Sequence, residues 1–221
     1  MIHLHRLILA LCLAFALASA ALAGPWPRDA GTGFAALSVE RARLPLAGRG
    51  PMELYAEWGL PGRRVLALAL AEGPGLRRAD LLLRWHPPDP APGLALGLTG
   101  GLRATPRDAL RWRLIAGADL GRGWDTGAGN LWLRAGARLL PGRDAAGWDL
   151  DLDLSAQLGL RRGDWMGLVG LTHYRSRTDR RTRLRPALGY AVSPRLTLVG
   201  EAALAPGAAV ESLRLSVWSR F

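Results

Sequence analysis

The chain has 221 residues and a formal net charge of +11, set by 29 basic against 18 acidic residues. Every basic residue is arginine, and the arginines are dispersed along the chain instead of forming one basic block, which argues against a nucleic-acid partner. The single cysteine, Cys12, lies in the N-terminal apolar stretch, so disulfides, thiol catalysis and cysteine-zinc sites are excluded from the rest of the chain.

Met1 to Ala23 reads as a secretory signal peptide. His3, His5 and Arg6 form a polar, basic start, Leu7 to Leu17 is unbroken apolar, and Ala21-Leu22-Ala23 is a small-x-small cleavage site. Ala18-Ser19-Ala20 offers an alternative site, and the residues before Cys12 lack the small side chain that lipidation needs. Beyond this segment no apolar run approaches the roughly 20 residues of a transmembrane helix. The longest candidate, Val65 to Ala71, is flanked by Arg63, Arg64 and Glu72.

From Gly33 onward the pattern is period-2 alternation broken by turn residues. It predicts strands near Gly33–Arg41, Met52–Gly59, Arg64–Ala71, Leu76–Trp85, Leu94–Arg103 and Leu110–Leu120. Further strands are predicted near Asn130–Leu139, Trp148–Leu160, Trp165–Ser176, Arg181–Val192, Leu196–Leu204 and Ser212–Phe221. Leu60-Pro61-Gly62, Pro87-Pro88-Asp89-Pro90, Pro141-Gly142, Arg162-Gly163-Asp164, Ser193-Pro194-Arg195 and Ala205-Pro206-Gly207 mark turns. Twelve strands are expected, with ten as the alternative count. The clearest runs from Trp148 to Leu160: Asp149, Asp151, Asp153, Ser155 and Gln157 alternate with Trp148, Leu150, Leu152, Leu154 and Ala156. On a helix the three aspartates would wind around the surface, so this segment is a strand.

The last stretch, Glu211 to Phe221, places Leu213, Leu215, Val217 and Phe221 on one parity and Ser212, Arg214, Ser216 and Arg220 on the other. It resembles the C-terminal strand of Gram-negative outer-membrane barrels, where a terminal phenylalanine belongs to the signal read by the barrel-insertion machinery. The resemblance implies an all-β, antiparallel up-and-down transmembrane barrel over residues 33–221, preceded by a short periplasmic segment at 24–32. It also implies that the last strand pairs with the first, with both ends of the barrel domain on the periplasmic side. The architecture resembles small outer-membrane transport barrels, with no shared motif and hence no implied substrate.

The polar parity of each strand supplies a lumen inventory: Arg111, Arg113 and Asp119; Arg134 and Arg138; Asp149, Asp151 and Asp153; Arg183, Arg185, Glu201, Arg214 and Arg220. Glu40, Glu53, Glu57, Asp80 and Arg84 join them from the early strands. Pairing of neighbouring strands would set Arg134 and Arg138 opposite the aspartates. Two readings remain open, an ion-paired filling of the lumen and a charged constriction of a solute channel. Trp58, Trp85, Tyr190 and Phe221 are expected in an aromatic belt at the inner interface, with Trp148 in the belt at the outer one.

Arg175, Arg177, Arg180 and Arg181 cluster in a connection expected to face outward, where lipopolysaccharide phosphates are natural partners. Past the signal the only histidines are His86 and His173. A hydrolase would have to use His173, but Ser176 lies three residues away and on the opposite strand face. There is no metal-ligand cluster, phosphate loop or dinucleotide fingerprint, so no cofactor and no catalytic residues are expected. The expected function is a small diffusion channel or transporter for small, anionic solutes. The alternative is a structural barrel that contacts outer-membrane lipids and lipopolysaccharide.

Overall fold

The computed structural model describes residues 26–42, 50–73, 76–88, 91–106, 110–144, 147–207 and 210–221. The signal segment, with Cys12 and the cleavage sites at Ala20 and Ala23, lies outside the described residues. Twelve strands follow in order: β1 (Gly33–Ala42), β2 (Met52–Leu60), β3 (Arg64–Gly73), β4 (Leu76–Trp85), β5 (Leu94–Pro106) and β6 (Leu110–Thr126), then β7 (Gly129–Asp144), β8 (Gly147–Arg162), β9 (Trp165–Arg175), β10 (Arg180–Ala191), β11 (Leu196–Leu204) and β12 (Val210–Arg220). Each pairs antiparallel with its chain neighbours, and β1 pairs with β12, so the sheet closes into a barrel without a free edge. No helix occurs among the described residues.

The closing seam runs from Phe34↔Arg220 to Ala42↔Ser212. One step beyond it, Phe221 N–H donates to the Gly33 carbonyl at 3.1 Å, and Gly33 N–H donates back to Phe221. The Phe221 ring lies across Gly33, where any Cβ would collide with it. Its centroid is 5.3 Å from that of Trp58 on the neighbouring strand. Glycine at position 33 is thus the residue that lets the terminal aromatic ring cover the seam.

Strand parity sorts the side chains to two sides. Leu66, Leu68 and Leu70 of β3, Leu81, Leu83 and Trp85 of β4, and Leu213, Leu215 and Val217 of β12 are exposed on the outer surface. Glu57, Asp80, Arg84, Asp119, Asp151, Ser212 and Ser216, on the other parity, are buried inside. A water-soluble barrel fills its interior with apolar side chains; here the polarity is inverted, as a lipid surroundings requires. The alternation seen in sequence is therefore an alternation between lumen and outer wall.

The end of the barrel holding Gly33 and Arg220 is called the near end; the opposite end, with the β1–β2 and β7–β8 connections, is the far end. The strands are joined by two to five residues, except between β1 and β2 and between β4 and β5, where nine and eight residues intervene. One part of the lumen wall is packed solid: Ala67, Leu82, Ile115 and Leu140 form an apolar cluster with Tyr55 against it. The open part of the interior therefore lies to one side.

One turn assignment is corrected. Pro141-Gly142 is not a turn but sits within β7, paired with Leu150 and Asp149, and the hairpin turns later, after Asp144. Strand β7 consequently runs on to Asp144, and β6 is also longer than expected because its near-end residues to Thr126 pair with the start of β7. The physical reason is local: a Cβ on Gly142 would strike the Arg113 side chain, which crosses β7 at this point. Gly142→Val is expected to force Arg113 aside and to lower the unfolding midpoint in denaturant by an amount corresponding to about 1–3 kcal/mol. Urea titration of the folded barrel in detergent checks this.

Candidate functional site: the barrel lumen

Three charge networks occupy the lumen. At the near end, Glu57 of β2 accepts from Arg28, from Tyr55 and, at 3.2 Å, from Arg84 of β4. Arg84 also approaches Asp119 of β6 at 3.9 Å, and Asp119 accepts from Arg134 of β7 at 2.7 Å. The side chains of Arg28, Arg84, Glu57 and Asp119 are nearly sealed from solvent, at 2%, 3%, 6% and 3% exposure. Charges this deep persist only because each has an opposite neighbour.

At mid-barrel, Arg214 reaches Glu40 at 2.8 Å, Glu53 at 3.0 Å and Glu201 at 3.8 Å. Arg185 pairs with Glu201, Arg103 makes a two-armed bond to Asp80 at 2.8 Å for each arm, and Arg78 lies between Asp80 and Glu53. At the far end, Arg113 bridges Asp149 at 2.8 Å and Asp151 at 3.5 Å, and the Tyr174 hydroxyl donates to Asp151 at 2.8 Å. Arg183 pairs with Glu211 at 2.6 Å, and Arg111 stands exposed on the inward parity of β6.

The expected pairing of Arg134 and Arg138 with the aspartates of the next strand is corrected. Arg134 is in register with Gln157 and turns instead to Asp119 on β6. Arg138 is in register with Asp153, yet neither makes an ion pair among the described residues. The cation that binds Asp149 and Asp151 is Arg113, two strands away, reaching over Gly142 along the line Arg113–Gly142–Asp149. Around β6–β8 the pairs formed are thus not the directly opposed residues, whereas Arg103–Asp80 and Arg214–Glu40 pair in register.

The segment before β1 does more than precede the barrel. Arg28 is buried in the lumen on Glu57 and lies over the Phe34 ring at 5.2 Å. Trp26 packs against an apolar sector of Trp132, Met166, Leu168 and Val199, joined by Trp218. Trp132 and Trp218 share the inward parity of Arg134 and Arg214, which parity alone could have disclosed. The entry of Trp26 and Arg28 had no sequence signal, since no alternation covers residues 24–32.

These elements leave a cavity of about 580 Å³. It extends from Trp124, Asn130, Arg161 and Arg220 at the near end to Glu53, Asp80, Arg103, Asp153 and Glu201 at mid-barrel. Seven arginines and six carboxylates line it, Arg138 and Asp153 among them.

On the outer wall, Trp58, Trp85 and Tyr190 are exposed at the near end beside Phe221, and Trp148 is exposed at the far end. Trp165 joins the near group, 4.9 Å from Tyr190. Arg175, Arg177, Arg180 and Arg181 are exposed at the β9–β10 connection, where Arg181 pairs with Asp179 at 2.8 Å. His173 bonds through Nδ1 to Thr182 Oγ1 at 2.8 Å, while the Ser176 hydroxyl accepts from the Asp179 amide at 2.9 Å. His86, past the end of β4, is fully buried with Nδ1 3.2 Å from the Leu96 carbonyl. Burial, with Arg84 nearby, lowers its pKa from the ordinary imidazole value.

The barrel shares its fold with solved porins. The NanC porin superposes with a TM-score of 0.60 at 12% identity, covering 85% of this chain and 98% of that one. The KdgM porin, solved in complex with disordered oligogalacturonate, gives 0.59 at 8% identity over 86% and 98%. No protein-family model matches the chain, and no curated protein matches it.

Proposed function

We propose that this chain is an outer-membrane diffusion channel for small solutes, placed with its near end toward the periplasm and its far end outside. The supporting observation is the lumen cavity of about 580 Å³, lined by charged groups, several of them paired along the wall, that leave the space open. Solved barrels of this fold are named as porins. The exposed apolar outer wall, bounded by Trp58, Trp85, Trp165 and Tyr190 at one end and Trp148 at the other, fits a bilayer with its two interfaces. Insertion by the barrel-assembly machinery, reading the last strand and Phe221, completes this reading. Among the described residues neither His173 nor His86 hydrogen-bonds a serine, which gives a hydrolase no support.

Arginines slightly outnumber carboxylates along the cavity, so the channel favours anions weakly. Purified barrel in planar bilayers is expected to conduct in KCl with a reversal potential of anion-selective sign. Arg138→Glu replaces a cavity cation without an ion pair among the described residues by an anion. The sign of that potential is then expected to reverse. A folded, non-conducting barrel would sink the channel reading.

A second reading rests on the exposed arginines Arg175, Arg177, Arg180 and Arg181 at the far rim. We assign them lipopolysaccharide phosphates, which guanidinium groups bind by two parallel hydrogen bonds. It is compatible with a channel and does not require one.

A further inference from the structure

The near-end half of the cavity has two unlike walls. One carries the Glu57, Arg84, Asp119 and Arg134 network. The other carries the buried sector Trp132, Met166, Leu168 and Val199, with Phe34, Trp26 and Trp218 lining the same cavity. Asn130, Gln157 and Ser216 flank this second wall, while the sector itself presents apolar and π faces.

At the lip of this sector stand two arginines. Arg161 follows Gly159, the register partner of Trp132, on the same inward parity, and Arg220 follows Trp218. Arg161 and Arg220 both line the cavity. Neither Arg161 nor Arg220 makes an ion pair among the described residues, and Arg161 Nε donates only to the Gly163 carbonyl at 3.3 Å. Arg28, 5% exposed, gives Nε to Glu57 while its Nη1 and Nη2 have no hydrogen-bond partner. Trp132, 9% exposed, likewise has an unbonded Nε1–H. Two cations without ion pairs, presented to the cavity beside an aromatic wall, call for an anion with an apolar body.

We propose that this half of the lumen is a subsite for a small aromatic carboxylate, its carboxylate on Arg161 and Arg220 and its ring against Trp132, Trp218 and Trp26. It rests on the channel reading above and specifies the class of solute. The wall chemistry selects against a sugar acid of equal charge. Hydroxyls laid against Met166, Leu168 and Val199 would lose water without gaining partners. A short aliphatic acid satisfies the arginines but leaves the ring faces uncovered. Cation–π and edge contacts to tryptophan favour the planar ring.

The test uses the full barrel folded in detergent and reconstituted in bilayers, with benzoate, acetate and galacturonate as probes. Benzoate is expected to quench or shift the intrinsic tryptophan fluorescence saturably, and to block the KCl current about tenfold more tightly than acetate or galacturonate. Trp132→Ala and Arg220→Ala should each remove most of that preference. Trp132→Phe, which keeps a ring, should preserve it, and the heat-dependent shift in gel mobility shows that each variant is folded. A barrel that conducts KCl but treats the three anions alike overturns the subsite and leaves the channel standing. Preferential binding of galacturonate also overturns it. Saturable benzoate binding to a non-conducting barrel supports the site and sinks the channel.

Discussion

Glu57→Leu is expected to be the most destabilising single substitution in the lumen. Glu57 is the shared acceptor of Arg28 and Arg84, whose side chains are 2% and 3% exposed, and of the Tyr55 hydroxyl. Removing it strands two buried cations that water cannot reach. Breaking a buried pair by deleting one partner costs about 3–5 kcal/mol, and here the loss falls on two partners at once. Asp119 continues to face Arg84 at 3.9 Å and offsets part of the penalty. The expected result is a lower urea midpoint for the folded barrel, read from the heat-dependent shift in gel mobility. Glu57→Gln should lie between the two, because it keeps acceptor geometry while losing charge. An unchanged midpoint for Glu57→Leu would show that the network is not a structural staple.

Deletion of residues 24–30 is expected to give the largest functional change. Trp26 and Arg28 enter the lumen at the near end, where Trp26 lines the cavity and Arg28 sits on Glu57 and over Phe34. Conductance scales with the narrowest open section, and the Trp26 indole borders the open space of about 580 Å³. Removing the segment should raise single-channel conductance in KCl about twofold or more, on the expectation that pore diameter sets passage. The barrel itself should remain folded, because all twelve strands and the β1–β12 seam lie outside the deletion. Equal conductance before and after would mean that the segment does not narrow the path. Arg28→Ala separates the two contributions, since it keeps Trp26 in place while freeing one carboxylate arm.

Much of the architecture was legible in the sequence because alternation is a local property. The run Trp148 to Leu160 states its two faces without reference to any other strand, and the structure places Asp149, Asp151 and Asp153 on the inner one. Closure was legible too: Leu213, Leu215 and Val217 required a partner for the last strand, and β1 supplies it. Turn reading failed at Pro141-Gly142, where the glycine serves an arginine crossing from β6 instead of a reversal. Proline and glycine report what the backbone can do there, and only the neighbouring strand reveals which use is made of it.

Which charges meet could not be read in the same way. Arg113 finds Asp149 and Asp151 across an intervening strand, Arg134 turns back to Asp119, and Arg138 remains beside Asp153 without an ion pair among the described residues. Those outcomes depend on register, on the slant of neighbouring strands and on side-chain reach, all of them non-local. The apolar sector and the entry of Trp26 and Arg28 depend on the curvature of a closed wall, which brings β1, β7, β9, β11 and β12 around one space. By itself, then, the sequence determined the strands and the side each residue takes, because a period of two is written residue by residue. The tertiary structure alone decided the ion pairs, the shape of the open path and its two unlike walls, because these arise only when distant strands are brought into register around a common axis.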